Sequence, residues 1–293
     1  MRTVYLNGDY IEESEAKVSI FDRGFLFADA IYEVTAVVDG KLIDFPGHME
    51  RLTRSLGEIN LEVPFDQASL LEIHRQVVAR NNLREGLIYL QISRGSTGDR
   101  DFNFPLEPVA PTLVLFTQEK ALIENPVAER GQKVILVEDW RWLRRDIKTV
   151  QLLYPAMAKS LARDKGADDA WMVENGQITE GCSNNAYIVT ADGTLVTRAL
   201  SNSILAGITR QTVLQCAAEL QVKVEERAFS AEEIRQAREA FSTSASGFVN
   251  PVVQVDGFAV GDGKPGPVAR RLREIYIKNS LATAIDALTP QPA

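Results

Sequence analysis

Apolar residues recur along this chain with two spacings, and the alternation between the spacings outlines its elements. Short alternating runs come first, at residues 3–19 around the turn Asn7-Gly8-Asp9 and at 31–38, which closes on Asp39-Gly40. Alternation punctuated by Asn-Gly or Asp-Gly predicts strands joined by hairpin turns. A helical spacing opens at Phe45-Pro46-Gly47-His48 and runs towards Leu56. Another covers 67–81, with Leu70, Leu71, Ile73, Val77 and Val78 on one side. Strands return at 87–93 and 111–117, separated by a polar loop that starts at Arg94 and ends at Phe104-Pro105. Periodicity is lost over 118–125, as in a linker.

Beyond the linker the same mixture resumes. A strand pattern at 132–138 leads through Trp140-Arg141-Trp142 to a helical run at 154–165. Strands at 170–173 and 186–189 flank the turn Glu174-Asn175-Gly176, and further strands are predicted at 195–197, 225–229 and 252–255. Helices are predicted at 211–220, 231–238 and 267–280, and the tail from Leu288 predicts disorder. The pattern therefore predicts an α/β (α+β) fold in two domains: a small one over 1–118, a linker over 119–125 and a large one over 126–284.

Composition narrows the class. At 293 residues, 45% hydrophobic and 25% charged, the chain can bury two ordinary cores. A net charge of −8 argues against a general nucleic-acid surface. Two cysteines, Cys182 and Cys216, give no disulfide framework, and two distant histidines, His48 and His74, give no metal-site spacing. No leader pattern and no long apolar run appear, so no membrane is expected and the cytoplasm is the expected compartment.

Three motifs carry chemistry. Asp146-Ile147-Lys148-Thr149 lies between a strand and a helix. Ile178-Thr179-Glu180-Gly181-Cys182-Ser183-Asn184-Asn185 follows a hairpin turn, and Ile204-Leu205-Ala206-Gly207-Ile208-Thr209-Arg210 opens a helix. A lysine at the mouth of a sheet, with a carboxylate further along, suits pyridoxal phosphate: the amine anchors the cofactor, and the carboxylate keeps the ring nitrogen protonated so that the ring draws electrons. Taken singly, Lys148 reads better as a solvated lysine and Glu180 as a turn residue; the ordered set of motifs outweighs that. Gly207 allows close backbone approach, and the amides of Ile208 and Thr209 at a helix N-terminus suit an anion. Alone, Thr209 reads better as a simple cap. Arg51 offers a planar fork to phosphate oxygens, or a surface ion pair. The hydroxyl-rich turn Ser242-Thr243-Ser244-Ala245-Ser246-Gly247 offers donors. Tyr32 reads as a half-buried strand residue or a pocket wall, and both histidines read as packing residues.

In order and spacing these motifs resemble the class IV, fold type IV pyridoxal phosphate aminotransferases, over nearly the whole chain, and within them the D-amino acid transaminases. The resemblance implies that Lys148 is the catalytic lysine. It implies a cofactor set of Arg51, Lys148, Glu180, Ser183, Leu205, Gly207, Ile208, Thr209, Ser244 and Ala245, and a substrate set of Tyr32, Arg100 and Phe102. It also implies amino acid and 2-oxo acid substrates, and a homodimer in which the long loop over 94–104 helps complete the pocket. Two positions depart from the family pattern. Phe102 stands where D-specific members carry histidine beside the arginine, and Ala245 stands where many carry threonine. Arg100 is then the main expected anchor for a substrate carboxylate, with Arg94 as the alternative. The other readings are a branched-chain L-aminotransferase, an (R)-amine transaminase, an aminodeoxychorismate lyase and a non-catalytic binding protein of the same fold.

Overall fold

The computed structural model describes residues 1–288, so the expected disordered tail beyond Leu288 lies outside the described residues. The chain divides into two units. One comprises Met1–Ala121, Ile147–Gln151 and the stretch from Thr283; the other comprises Leu122–Asp146 and Leu152–Ala282.

The first unit contains β1 (Thr3–Leu6), β2 (Asp9–Glu12), α1 (Arg23–Phe27), β3 (Ala30–Val38), β4 (Lys41–Leu42), α2 (Phe45–Glu58), α3 (Gln67–Arg80), β5 (Gly86–Ser93) and β6 (Thr112–Glu119). A short strand near the end of the chain joins them, at Ile285–Asp286. The seven strands form one antiparallel sheet in which β5 lies between β3 and β6, β1 and β2 follow on one side, and β4 and the Ile285–Asp286 strand follow on the other. Asn7 and Gly8 take positive φ at the first hairpin, as that turn requires. Alternate residues of the central strands, Ile31 and Val37 on β3, Ile88, Leu90 and Ile92 on β5, Leu113 and Leu115 on β6, join one core with Met49, Leu52 and Leu56 of α2 and Leu70, Val77 and Val78 of α3. The apolar stripe read over 67–81 is the buried face of α3.

β4 is only two residues long and pairs with the far end of β3, at Val37 and Val38. The near end of β3 is thereby left open on that edge, and the segment Ile147–Gln151 fills it. The Tyr32 N–H donates to the Lys148 carbonyl at 3.0 Å, the Val150 N–H donates to the Ala30 carbonyl at 3.2 Å, and Ile31 bridges Thr149. An edge with unmade backbone bonds is thus completed by the lysine-bearing stretch.

The second unit contains α4 (Pro126–Arg130), β7 (Gln132–Glu138), α5 (Leu153–Asp164), β8 (Asp169–Glu174), β9 (Gln177–Gly181), β10 (Asn185–Val189), β11 (Leu195–Thr197), α6 (Ile208–Glu219), β12 (Val224–Glu226), α7 (Ala231–Gln236), β13 (Glu239–Ser244), β14 (Phe248–Val255), β15 (Phe258–Ala259) and α8 (Pro267–Thr283); the Ile285–Asp286 strand is β16. Its strands run β12-β11-β10-β13-β14-β7-β8-β9, with β15 beside β14. β7 is parallel to β8 and β14, and β11 to β12. Trp171, wholly buried, donates its indole N–H to Ser242 across the sheet at 3.1 Å, and Tyr187 stacks on Phe241. The strand expected at 225–229 stops at Glu226, because Phe229 turns away to accept the Ile178 N–H. The helical run expected at 154–165 is α5, but its large apolar residues face outward. Pro155, Ala158 and Ala162 are the buried ones, whereas Leu153, Met157 and Leu161 are exposed.

Candidate active site

In the first unit, β3 presents different chemistry on its two faces, as strand alternation dictates. On one face Tyr32 lies beneath the Lys148 ammonium, whose nitrogen is 4.1 Å from the ring centroid. A cation held over an aromatic face is attracted by the ring quadrupole. Tyr32 in turn stacks on Tyr89 of β5, and Tyr89 on Phe116 of β6, with centroids 5.6 and 4.9 Å apart. Burial pushes the Tyr89 phenol upward, and its hydroxyl donates to Gln91. The segment carrying Lys148 and the strand carrying Tyr32 are therefore joined both by backbone hydrogen bonds and by side-chain contact.

On the other face of β3, Glu33 is fully buried against α2. Arg51 Nε donates to Oε1 at 2.8 Å and Nη2 to Oε2 at 2.7 Å, while His48 Nδ1 lies 2.8 Å from Oε2. Burial alone would raise this carboxyl, but the charge and hydrogen bonds of Arg51, with the His48 bond, hold it at about 2. Arg51 thus has a structural partner that the sequence reading did not foresee. His48, read as a packing residue, is a member of this buried polar cluster. His74 lies fully buried in the core, edge-on to Phe45, and burial depresses it to about 4.

The remaining sequence candidates of this unit lie on the loop after β5. Arg94 is buried and committed: it pairs with both oxygens of Asp29 and donates to the carbonyls of Ile59 and Asn60. Arg100 is exposed, with its guanidinium carbon 4.6 Å from the Phe102 centroid and 5.1 Å from that of Phe27. Phe102 itself is exposed.

In the second unit, Glu180 lies near the end of β9 and is buried. Three donors reach its carboxylate. Arg141 Nη1 meets Oε1 at 2.7 Å, while Asn185 Nδ2 and the Leu205 backbone N–H each meet Oε2 at 3.1 Å. Arg141 is itself oriented by Asp139, which accepts from Nε and Nη2 and from the Thr179 hydroxyl. Burial pushes the Glu180 carboxyl upward, against the pull of the Arg141 charge.

Asn185 is the residue that sequence reasoning passed over. Its Nδ2 donates to Glu180 and, at 2.9 Å, to the Leu205 carbonyl, so it ties the carboxylate to the 204–207 loop. A side-chain carbon at Gly207 would collide with its Oδ1. Across β10–β13 it faces Thr243, the neighbour of Ser244. Gly207 is the N-cap of α6, with no side-chain cap, so the alternative reading of Thr209 as the cap does not hold: Ile208 and Thr209 are the first helical residues, both buried. A helix start of this kind leaves backbone N–H groups pointing outward. Ser244 and Ala245 open the turn between β13 and β14, where the Ser244 and Ser246 hydroxyls lie 3.4 Å apart. Ser183 is exposed on the turn between β9 and β10. Arg141 and Asn185 left one faint signal each: an arginine between two tryptophans, and an asparagine opening a strand, where asparagine is disfavoured.

Residues 30–255 match the family model for amino-transferase class IV. A D-alanine aminotransferase of Staphylococcus aureus (strain MSSA476) is 39% identical over 280 residues, covering 95% of this chain and 98% of that one. A D-alanine aminotransferase of Listeria monocytogenes serotype 1/2a (strain 10403S) is 36% identical, covering 94% and 95%. Among solved structures, a T.th. branched-chain amino acid aminotransferase with pyridoxamine 5'-phosphate superposes with a TM-score of 0.87 at 26% identity, covering 99% of this chain and 95% of that one.

Proposed function

Because the chain belongs to the class IV aminotransferases, we propose that it moves an amino group between a D-amino acid, of the D-alanine or D-glutamate type, and a 2-oxo acid, with pyridoxal phosphate as cofactor. The observation that carries the substrate class is the 39% identity to a D-alanine aminotransferase across 95% of the chain. The chemistry of the residues supports the cofactor. Glu180 is a buried carboxylate fixed by three donors, a glycine-capped helix start and a serine-bearing turn adjoin Asn185, and Lys148 carries its amine over an aromatic face.

When bound, pyridoxal phosphate supplies the sink for the electrons released as the substrate Cα–H bond breaks. Lys148 would anchor it covalently and, with its amine released, would take the proton from the substrate Cα as base and hand it on as acid to the cofactor carbon C4′, not back to Cα. Glu180 would keep a proton on the ring nitrogen; the Arg141 charge draws it towards its ionised form against burial, and Asn185 aims it. Ser244 and the amides of Ile208 and Thr209 would hold the phosphate, with Ser183, Leu205, Gly207 and Ala245 lining the group, and Arg51, already bonded to Glu33, would add its charge to the same anion. Arg100 grips the substrate carboxylate and Tyr32 lends a hydroxyl.

Incubation with D-alanine, L-alanine, L-leucine and (R)-1-phenylethylamine, each with 2-oxoglutarate, tests the substrate class. D-alanine should be turned over fastest; a preference for L-leucine would make this a branched-chain enzyme instead. Borohydride reduction followed by peptide mass spectrometry should find the pyridoxyl group on Lys148, and Lys148→Ala should lose both adduct and turnover. An adduct on Lys159 or Lys165 would remove the assignment.

The same reading makes the protein a cytoplasmic homodimer. Trp140 and Leu143 are each 77% exposed, Leu153 76% and Met157 59%, and the Trp140 ring lies 5.9 Å from that of Tyr154 on α5. Large apolar side chains gathered in this way support a surface that a second subunit covers. Both cysteines are buried free thiols, in keeping with a reducing compartment. No helix among the described residues is long and apolar enough to cross a membrane.

A further inference from the structure

Arg23 opens α1 and is 2% exposed, although nothing in its sequence position marks it for chemistry. Its guanidinium reaches three consecutive carbonyls of the loop after β5. Nη1 donates to the oxygens of Asp101 at 2.6 Å and Asn103 at 3.2 Å, and Nη2 reaches that of Phe102 at 3.5 Å. Nε is spent on Asp29 at 2.8 Å, the same carboxylate that Arg94 holds with two bonds. The Arg23 backbone N–H donates to the Gly95 carbonyl at 2.9 Å, so the one residue clasps the loop near both of its ends.

The aromatic contacts continue the same structure. Phe27, one turn along α1, has the Arg23 guanidinium carbon 4.7 Å from its centroid and that of Arg100 5.1 Å away, and its ring lies 5.3 Å from Phe102. Phe104 is approached by Arg23 at 5.5 Å and by Arg94 at 4.0 Å. Arg100 therefore stands on two phenyl faces whose backbone support is Arg23. A planar, five-donor fork can bond a carboxylate and several carbonyls together; a lysine ammonium cannot match that geometry.

We propose that Arg23 is a positioning residue for substrate recognition: by clasping the carbonyls of residues 101–103 and sharing Phe27 with Arg100, it holds the Arg100 guanidinium in the orientation that receives the substrate carboxylate. The inference rests on reading Arg100 as the carboxylate anchor. With Phe102 in place of a second donor, the site depends on the orientation of one cation, and orientation is what a fixed loop supplies. The phenyl of Phe102, which cannot bond a carboxylate, serves instead as a face on which Arg100 rests.

The test compares Arg23→Lys, Arg100→Ala and the double variant as holoenzymes, reading KM and kcat for D-alanine and the melting temperature. Arg23→Lys should raise KM roughly tenfold while kcat stays near the parent value and the lost carbonyl bonds lower the melting temperature, and the double variant should have a KM within about twofold of Arg100→Ala alone, because both changes act on one contact. Phe27→Leu, which keeps the Arg23–Asp29 ion pair, should give the same KM-selective loss and serves if Arg23→Lys fails to fold. An unchanged KM in these variants beside a raised KM in Arg100→Ala overturns the inference alone, as do losses that multiply in the double variant. An unchanged KM in Arg100→Ala overturns the anchor reading, and the inference with it.

Discussion

Glu180 shows what a single side chain must satisfy here. Its carboxylate is buried, which favours the neutral form, yet the role proposed for it, holding a proton on the ring nitrogen, requires the charged one. Arg141 supplies the opposing charge, and Asn185 and the Leu205 amide fix the direction. Glu180→Gln should therefore fold and retain cofactor but slow single-turnover proton transfer by about 100-fold or more, since an amide cannot hold the pyridinium charge; unchanged single-turnover kinetics would remove the role. Asn185→Asp would set a second negative charge beside Oε2 and raise Glu180 further. The acid limb of the pH–rate profile should then move to higher pH, and dialysis should strip the cofactor faster; an unmoved limb with unchanged retention would reduce Asn185 to a packing residue. Lys148 and Glu180 stand out in the sequence because their motifs are contiguous. Arg141 and Asn185 do not, because their importance is a matter of which side chains meet after folding.

At the scale of elements, β3 is the informative strand. Its buried face holds the Glu33–Arg51–His48 cluster, and losing one member of a buried pair strands the others. Glu33→Gln should lower stability at pH 7 by about 3–5 kcal/mol in urea unfolding. The pH dependence follows from the depressed values. Glu33, held at about 2, contributes stability that is complete above the ordinary carboxylate value of 4.5 and fades as pH falls towards 2. His74, depressed to about 4, contributes stability that is complete above 6.5 and fades as pH falls through 4. Unfolding midpoints taken from pH 7 to 3 should fall first through the histidine range and then through the carboxylate range, and Glu33→Gln should flatten the part below 4.5; an unaltered profile in the variant would contradict the coupling. Long periodic elements such as β7 and α3 were readable to within a residue or so. α1 and α4, five residues each, were missed because one turn shows no period. The helical run at 154–165 is α5, but Leu153, Met157 and Leu161 form its exposed face, since a spacing of apolar residues reveals a stripe without saying what covers it.

That exposed stripe matters at the scale of the whole molecule. Replacing Met157 and Leu161 with glutamate puts charge where the proposed subunit contact needs apolar surface, and sedimentation at micromolar concentration should move from dimer to monomer. A parent protein that already sediments as a monomer with full activity would end the homodimer proposal. The chain path has a separate consequence. The open edge of β3 is completed by Ile147–Gln151, and β4 is paired by Ile285–Asp286, so the first unit is assembled from three separate stretches of chain. On a ribosome the polypeptide emerges in order, and the strands up to β6 are in place long before the last stretch has been made. The nascent chain therefore carries an uncovered sheet margin through much of its synthesis, open to pairing with another chain. The lysine-bearing stretch closes part of that margin once it emerges, so the segment that sets an ammonium over Tyr32 also completes a sheet edge.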